Sequence, residues 1–269
     1  MRARAGRVSL RAMGDAAWLR PALLLVIIVA LWALAVQIFN IPAYLIPRPL
    51  DVAEAMVDQW QTLLAEAVPT TLATLGGFAL SVTVGIPLAM LIAGSRTVES
   101  YVYPLLVFSQ SVPKVAIAPL LVVWFGFGMM PKVLTAFLLG VFPIVVSGVQ
   151  GFKSVDPEMR DLVRSMRADW LQSFAYVNLP QALPSIFSGL KVSVTLAVVG
   201  AVVGEFVGAN SGIGFVLQRS IGNFELPTMF AALVILALIG VILFWLIELV
   251  ERVVVPWQAS RRVEVAATA

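Results

Sequence analysis

The 269-residue chain contains no cysteine and no histidine. Disulfides, thiolate nucleophiles, imidazole bases and the usual zinc ligands are therefore excluded, and neither a catalytic nor a metal site is expected. Charge is scarce too. Only 12% of residues are Asp, Glu, Lys or Arg, about half the share in a soluble domain. Nowhere does a Gly-rich loop end in Gly-Lys-Ser/Thr, as a Walker loop must. The chain is therefore expected to hydrolyse no ATP, to be no enzyme and to carry no cofactor of its own. The net charge of +3 comes with no basic arm interleaved with aromatics, so nucleic acid is not an expected partner. Apolar residues are what the chain has in excess, at 60% against about 45–50% in soluble proteins.

These residues gather into six runs, at about 21–39, 67–93, 101–125, 131–151, 183–207 and 227–250. Each is long enough to cross a bilayer, which takes roughly 20 helical residues. Arginines 2, 4, 7 and 11 precede the first run, and Ala33-Leu34-Ala35 fits a signal-peptidase pattern. The apolar stretch from Pro21 to Phe39 exceeds a signal's usual core, however, and the reading adopted is a retained first span. With the N-terminus in the cytoplasm, alternation places Arg2, Arg4, Arg7, Arg11, Arg20, Arg96, Lys153, Arg160, Arg164, Arg167, Arg252, Arg261 and Arg262 inside. Only Arg48, Lys132 and Arg219 fall outside. Under the positive-inside rule this orients the chain with both ends in the cytoplasm. The expected organisation is a cytoplasmic tail over 1–20, one membrane domain over 21–255 and a cytoplasmic tail over 256–269.

Several features stand out along these runs. In the first external loop, "IPAYLIPRPL" reads as extended and "DVAEAMVDQW" as a short helix. The third run, "SQSVPKVAIAPLLVVWFGFG", carries Pro113 and Pro119, each of which removes a backbone donor. One reading is a harmless kink. The other is a broken span facing a pathway, which the nearby Gln110, Ser111 and Lys114 favour. A lysine at a bilayer centre costs roughly 2.5–3.5 kcal/mol and must find protein or water. Lys191, nearer a helix end, is expected to snorkel to the surface. Glu205 either lines an outer vestibule or reaches the headgroups. Gly200, Gly204 and Gly208, four apart, form a strip that admits a close helix neighbour, in the same chain or in a second one. "GANSGIGF", at 208–215, reads as a flexible external connection.

The most polar segment of the second half is the loop over 152–182, expected in the cytoplasm. Asp156 is placed to cap a helix that Pro157 opens. Met159, Leu162, Val163 and Met166 share one helical face, with Arg160, Arg164 and Arg167 on another. Asp169 and Gln172 match a capping box for a second helix, with Trp170, Phe174 and Val177 as its apolar stripe. Pro180 is expected to end that helix and Pro184 to open the fifth span. Two short amphipathic helices at the membrane surface follow. They meet either lipid phosphates or a cytoplasmic partner.

This segment resembles the "EAA" loop of ATP-binding-cassette (ABC) importer permeases. That loop reads Glu-Ala-Ala, three residues, Gly, then a later Leu-Pro. Leu179-Pro180 matches the Leu-Pro, Asp161 stands for the Glu, Leu162 and Val163 for the alanines, Arg167 for the Gly, and Ala168 for the Ala that follows. "QALPSIFSGLKVS", "PRPLDV", "VPKVAIAPLLVVWFGFG" and "VVGEFVGANSGIGF" are also similar to the family, in its nitrate/sulfonate/taurine-type branch. The resemblance covers about residues 40–255. Arg in place of Gly must avoid positive φ or accept its cost.

The resemblance implies an all-α membrane protein with six transmembrane helices, the type I importer permease fold, in a bacterial inner membrane. It implies a homodimer, two cytoplasmic ATPase subunits holding ATP and Mg, and an extracytoplasmic substrate-binding protein, all set among membrane lipid. The coupling contact falls to Pro157, Glu158, Asp161, Arg164, Arg167, Ala168, Asp169, Trp170, Phe174, Leu179 and Pro180. The pathway falls to Gln110, Ser111, Lys114 and Glu205. The implied solute is an anion such as nitrate, taurine or another sulfonate. A pyrimidine precursor, riboflavin or an aromatic acid is the alternative. A stand-alone secondary transporter or channel, or a scaffold without a pathway, is the competing class.

Overall fold

The computed structural model describes residues 10–258. The side chains of 10–20, Pro157, Arg160, Arg164, Trp170, Leu171 and Gln258 lie outside that description, as do the arginines expected in the two tails. All regular structure among the described residues is helical. The described residues fall into two compact units.

The smaller unit holds the residues up to Trp60 together with Ser220–Ala231. Helix α1 (Leu10–Ile38) begins well before Pro21, so the stretch read as a tail is helical from Leu10. Trp32 of α1 stacks on Phe230, with ring centroids 5.6 Å apart. The segment after α1 is a turn, not an extended strand, because the Leu45 N–H closes on the Pro42 carbonyl at 2.9 Å. Helix α2 (Pro49–Asp58) opens on a proline whose missing N–H needs no partner there, and the Arg48 N–H donates to the Asp51 carboxylate at 3.0 Å.

The larger unit holds Gln61–Arg219 and the residues from Ala232 onward. Helix α3 (Trp60–Gly94) is followed by α4 (Arg96–Ser111), α5 (Ala118–Phe125), α6 (Met129–Lys153), α7 (Pro157–Ser165), α8 (Trp170–Ser173), α9 (Leu179–Gly208), α10 (Ile213–Gly222) and α11 (Leu226–Val254). Among the described residues, five helices are long and apolar enough to cross a membrane. Counting the bent pair of α4 and Lys114–Phe125 as one broken span makes six, the expected number.

The third span is broken. The α4 axis and that of Lys114–Phe125 meet at 82°. Val112 and Pro113 are extended (ψ 122° and 99°), a short 3₁₀ turn covers Lys114–Ile117, and α5 restarts with Pro119 in its first turn. Proline supplies both halves of the explanation. It pushes the residue before it out of helical geometry, and it is harmless where a helix has no N–H to satisfy.

The fifth span departs from expectation. Pro180 does not end a helix, and Pro184 lies inside α9 rather than opening it. A π turn over Phe174–Asn178 carries the chain from α8 into α9, with the Leu179 N–H bonded five residues back to the Phe174 carbonyl. This rerouting lets Pro180 enter the first turn of α9 without breaking the run.

Helices α3, α6 and α9 form the core through small residues. Ala73, Ala136, Ala197 and Ala201 are buried together. A second cluster holds Ile92, Ile144, Val145, Ile186 and Phe187. The glycine strip of α9 packs within this chain. A Cβ on Gly200 would lie 2.6 Å from the Ala136 Cα, one on Gly204 2.8 Å from the Lys132 Cα, and one on Gly208 2.6 Å from the Phe127 ring. In lipid, where apolar side chains gain little from leaving their solvent, such close backbone approach is what holds helices together.

Candidate functional site

Three of the polar groups in the larger unit hold the residues expected to carry function. The first is the hairpin between α6 and α9. Asp156 caps α7, its carboxylate accepting the Glu158 N–H at 3.0 Å. The capping box expected at α8 is present in both directions. The Gln172 N–H donates to Asp169 at 2.7 Å, and the Asp169 N–H donates to Gln172 at 3.1 Å. Between the helices Arg167 takes φ +57°, and the Ala168 N–H bonds back to the Val163 carbonyl at 3.3 Å. That is the left-handed C-terminal motif that glycine normally occupies. The chain therefore keeps the turn and accepts a cost of about 1 kcal/mol for a side chain there.

Glu158, Asp161, Arg167 and Asp169 are exposed, and Ala168, Leu179 and Pro180 are half-buried. Phe174 stacks on Phe152 at 5.9 Å and so ties the hairpin to the core. Pro157, Arg164 and Trp170 are among the side chains outside the description. On the expected apolar face, Met159, Leu162 and Met166 are 40%, 56% and 73% exposed. Among the described residues, none covers them.

The second group sits at the broken span. Lys114 donates to the Gln110 amide oxygen at 2.9 Å, and its ammonium lies 5.4 Å from the centroid of the Phe142 ring. These residues line a pocket of about 300 Å³. Ser111 is exposed beside it but does not line it.

The third group replaces both readings of Glu205. That residue is fully buried and neither borders a vestibule nor reaches a surface. Its carboxylate faces Lys132 at 3.4 Å, accepts the Thr70 hydroxyl at 2.9 Å and accepts the Gly214 N–H at 2.8 Å. Lys132, counted among the outer charges, is 2% exposed and also donates to the Ser211 carbonyl at 2.7 Å. The "GANSGIGF" segment is correspondingly not a loose connection. The Gly212 N–H donates to Glu66 at 2.5 Å and the Ile213 N–H to Thr70 at 2.8 Å. Gly212 has φ +106°, and a Cβ there would sit 2.0 Å from the Glu205 carboxylate. Only glycine fits.

Lys191 is paired as well. It forms an ion pair with Glu251 and lies 5.8 Å from the Phe244 ring centroid. Sequence reasoning missed Lys132, Glu66, Thr70, Phe142 and Glu251. One signal was available, because the boundaries of the fourth and fifth runs put Lys132 and Glu205 at the same membrane face. An ionisable residue at such a depth demands a partner.

Residues 81–255 match the model of the binding-protein-dependent transport system inner membrane component. The chain belongs to this family. The permease is 38% identical over 244 residues to the formylaminopyrimidine transport permease of Halalkalibacterium halodurans, covering 90% of this chain and 97% of that one. It is 36% identical to the riboflavin transport permease of Chloroflexus aurantiacus, covering 88% and 89%. It is 28% identical to the putative aliphatic sulfonates transport permease of Bacillus subtilis, covering 90% and 89%. Its fold matches a chain of the inward-facing MetNI methionine ABC transporter, with a TM-score of 0.61 at 18% identity over 73% of this chain and 98% of that one. The permease is thus a multi-pass, all-α membrane subunit of a type I ABC importer, and is not itself an enzyme.

Proposed function

We propose that this permease forms the pore of an ATP-driven importer as a homodimer. Two separate ATPase subunits hold ATP and Mg and grip the α7–α8 hairpin from the cytoplasm, and an extracytoplasmic binding protein delivers the solute. The observation that carries this is the hairpin itself. It is capped at both helices and tied to the core through Phe174, yet it leaves Met159, Leu162 and Met166 open. A rigid knob with an uncovered apolar face is built to be held by a partner. ATP-driven closure of the ATPase pair would draw two such knobs together and turn α9 with them. Hydrolysis would release them.

The end of α6 bearing Lys132 and the end leading into the hairpin lie about 30 Å apart at 1.5 Å per residue, one bilayer core. Both termini and the hairpin would then face the cytoplasm of a bacterial inner membrane, and the Lys132–Glu205 cluster would face outward.

The solute reading that fits best is a small nitrogen heterocycle, since the formylaminopyrimidine and riboflavin permeases are more similar to this chain than the sulfonate permease is. A small anion is the second reading. It draws on Lys114, which has no carboxylate partner among the described residues. Purifying the chain through an affinity tag tests the core of the proposal. An ATP-hydrolysing protein should accompany it, and reversing charge at Asp161 and Arg167 together should abolish solute uptake. Uptake that survives both reversals, or a protease that reaches 157–178 only from the outside, would refute the docking assignment.

A further inference from the structure

The four lysines of this chain divide unevenly. Lys132, Lys153 and Lys191 each face a carboxylate, from Glu205, Glu99 and Glu251 respectively. Lys114 alone faces a neutral amide and an aromatic ring. It does so inside a pocket whose other walls include Pro113, Leu139 and Leu196, with no acidic residue among its lining. The break in the span creates this space. Because α4 stops at Ser111 and the chain turns through 82°, the Lys114 ammonium is carried against α6 where a continuous helix would have carried the run straight on.

We propose that this pocket is a solute-recognition site within the membrane domain for a single-ring heterocycle with hydrogen-bond acceptors along one edge, of the pyrimidine type. Three features of the lining specify that class. Phe142 offers a flat apolar face of the kind on which a heteroaromatic ring stacks. Gln110 offers an amide oxygen and an amide N–H in one plane, the pairing that reads an amino group beside a ring nitrogen on a base edge. Lys114 offers ammonium protons and no acceptor, so it selects an acceptor-bearing edge and repels a cation. A volume of about 300 Å³ lies at the small end of ligand pockets and suits one ring rather than a fused system. A compact sulfonate would satisfy Lys114 but leave the Phe142, Leu139 and Leu196 walls uncovered. The lysine's contact with the Phe142 face is then the resting arrangement of the empty site, with the solute ring taking over that face on entry.

This inference rests on the importer reading but does not need its ATPase assignment, and the experiment separates the two. The tagged permease is purified with whatever accompanies it and reconstituted into lipid nanodiscs. Equilibrium binding of radiolabelled formylaminopyrimidine is then measured without ATP, with taurine as competitor. Saturable binding is expected, with no displacement by equimolar taurine. Lys114→Met and Phe142→Leu should each weaken it about tenfold or more, whereas Lys114→Arg should stay within about threefold. Gel-filtration profiles matching the wild type establish that each variant is folded. A dissociation constant unmoved by Lys114→Met and Phe142→Leu overturns the site. Displacement by taurine overturns the solute class, and absence of binding by the wild type overturns both. A preparation that binds the ring but brings down no ATPase refutes the importer assembly and leaves the site standing.

Discussion

Lys132 and Lys114 lie close together in sequence, on either side of α5, and the fold treats them in opposite ways. Lys132 is sealed. It has a carboxylate at 3.4 Å and a carbonyl at 2.7 Å, and that carboxylate in turn accepts the Thr70 hydroxyl and the Gly214 N–H. Lys114 is half-exposed, bonded to a neutral amide, and open to a pocket. Burial of a charge is tolerable only when its partners are all present. The first lysine is therefore a structural element whose removal should be felt throughout the fold. The second is a charge held ready, whose removal should leave the fold alone.

The sharpest way to break this contrast is Glu205→Gln. It leaves the Lys132 ammonium buried without its counter-charge and should cost about 3–5 kcal/mol, read as a large fall in the thermal midpoint of the detergent-solubilised permease. The double variant Lys132→Met/Glu205→Gln should recover much of that loss, because the uncompensated charge is gone. A single variant that melts with the wild type would show that the cluster is not structural.

Phe174→Ala comes next, at about 2 kcal/mol for a half-buried ring lost from the core edge. Its signature should be local, with faster amide exchange across 156–178 and little change in α3 or α6. Arg167→Gly should act in the opposite direction. It relieves a positive-φ residue and should slow exchange at the Ala168 amide by about fivefold, the equivalent of roughly 1 kcal/mol. Lys114→Met should shift the midpoint least, within about 0.5 kcal/mol. A fall as large as that of Glu205→Gln would end the distinction between the two lysines.

The residues that the sequence made legible were those whose physics is local. Span number follows from run length, and α7 follows from its capping residues. The box at Asp169 and Gln172 follows from a three-residue spacing, and the break at Pro113 from a missing donor. What escaped depended on residues far apart in the chain. Thr70 and Glu205, or Lys191 and Glu251, meet only once helices have packed, and no periodicity announces them. Lys132 was counted with the outer charges because it stands at the second position of its run, whereas the helix begins at Met129 and carries that charge inside. The glycines of "GANSGIGF" looked like flexibility. Gly212 is required instead because a carboxylate lies where its side chain would be.

The unbroken passage from π turn to α9 has a mechanical consequence. At 1.5 Å per residue, the 30 residues of α9 make a rod about 45 Å long, bracketed by Phe174 against the core at one end and by Glu205, near the other end, locked to Lys132 and Gly214. A tilt of only about 5° at the hairpin sweeps the opposite tip through roughly 4 Å by simple leverage over that length. The ion pair sits at the moving tip, so a displacement of that size must either drag α6 and the Gly212 loop along as one piece or shear the lysine from its carboxylate.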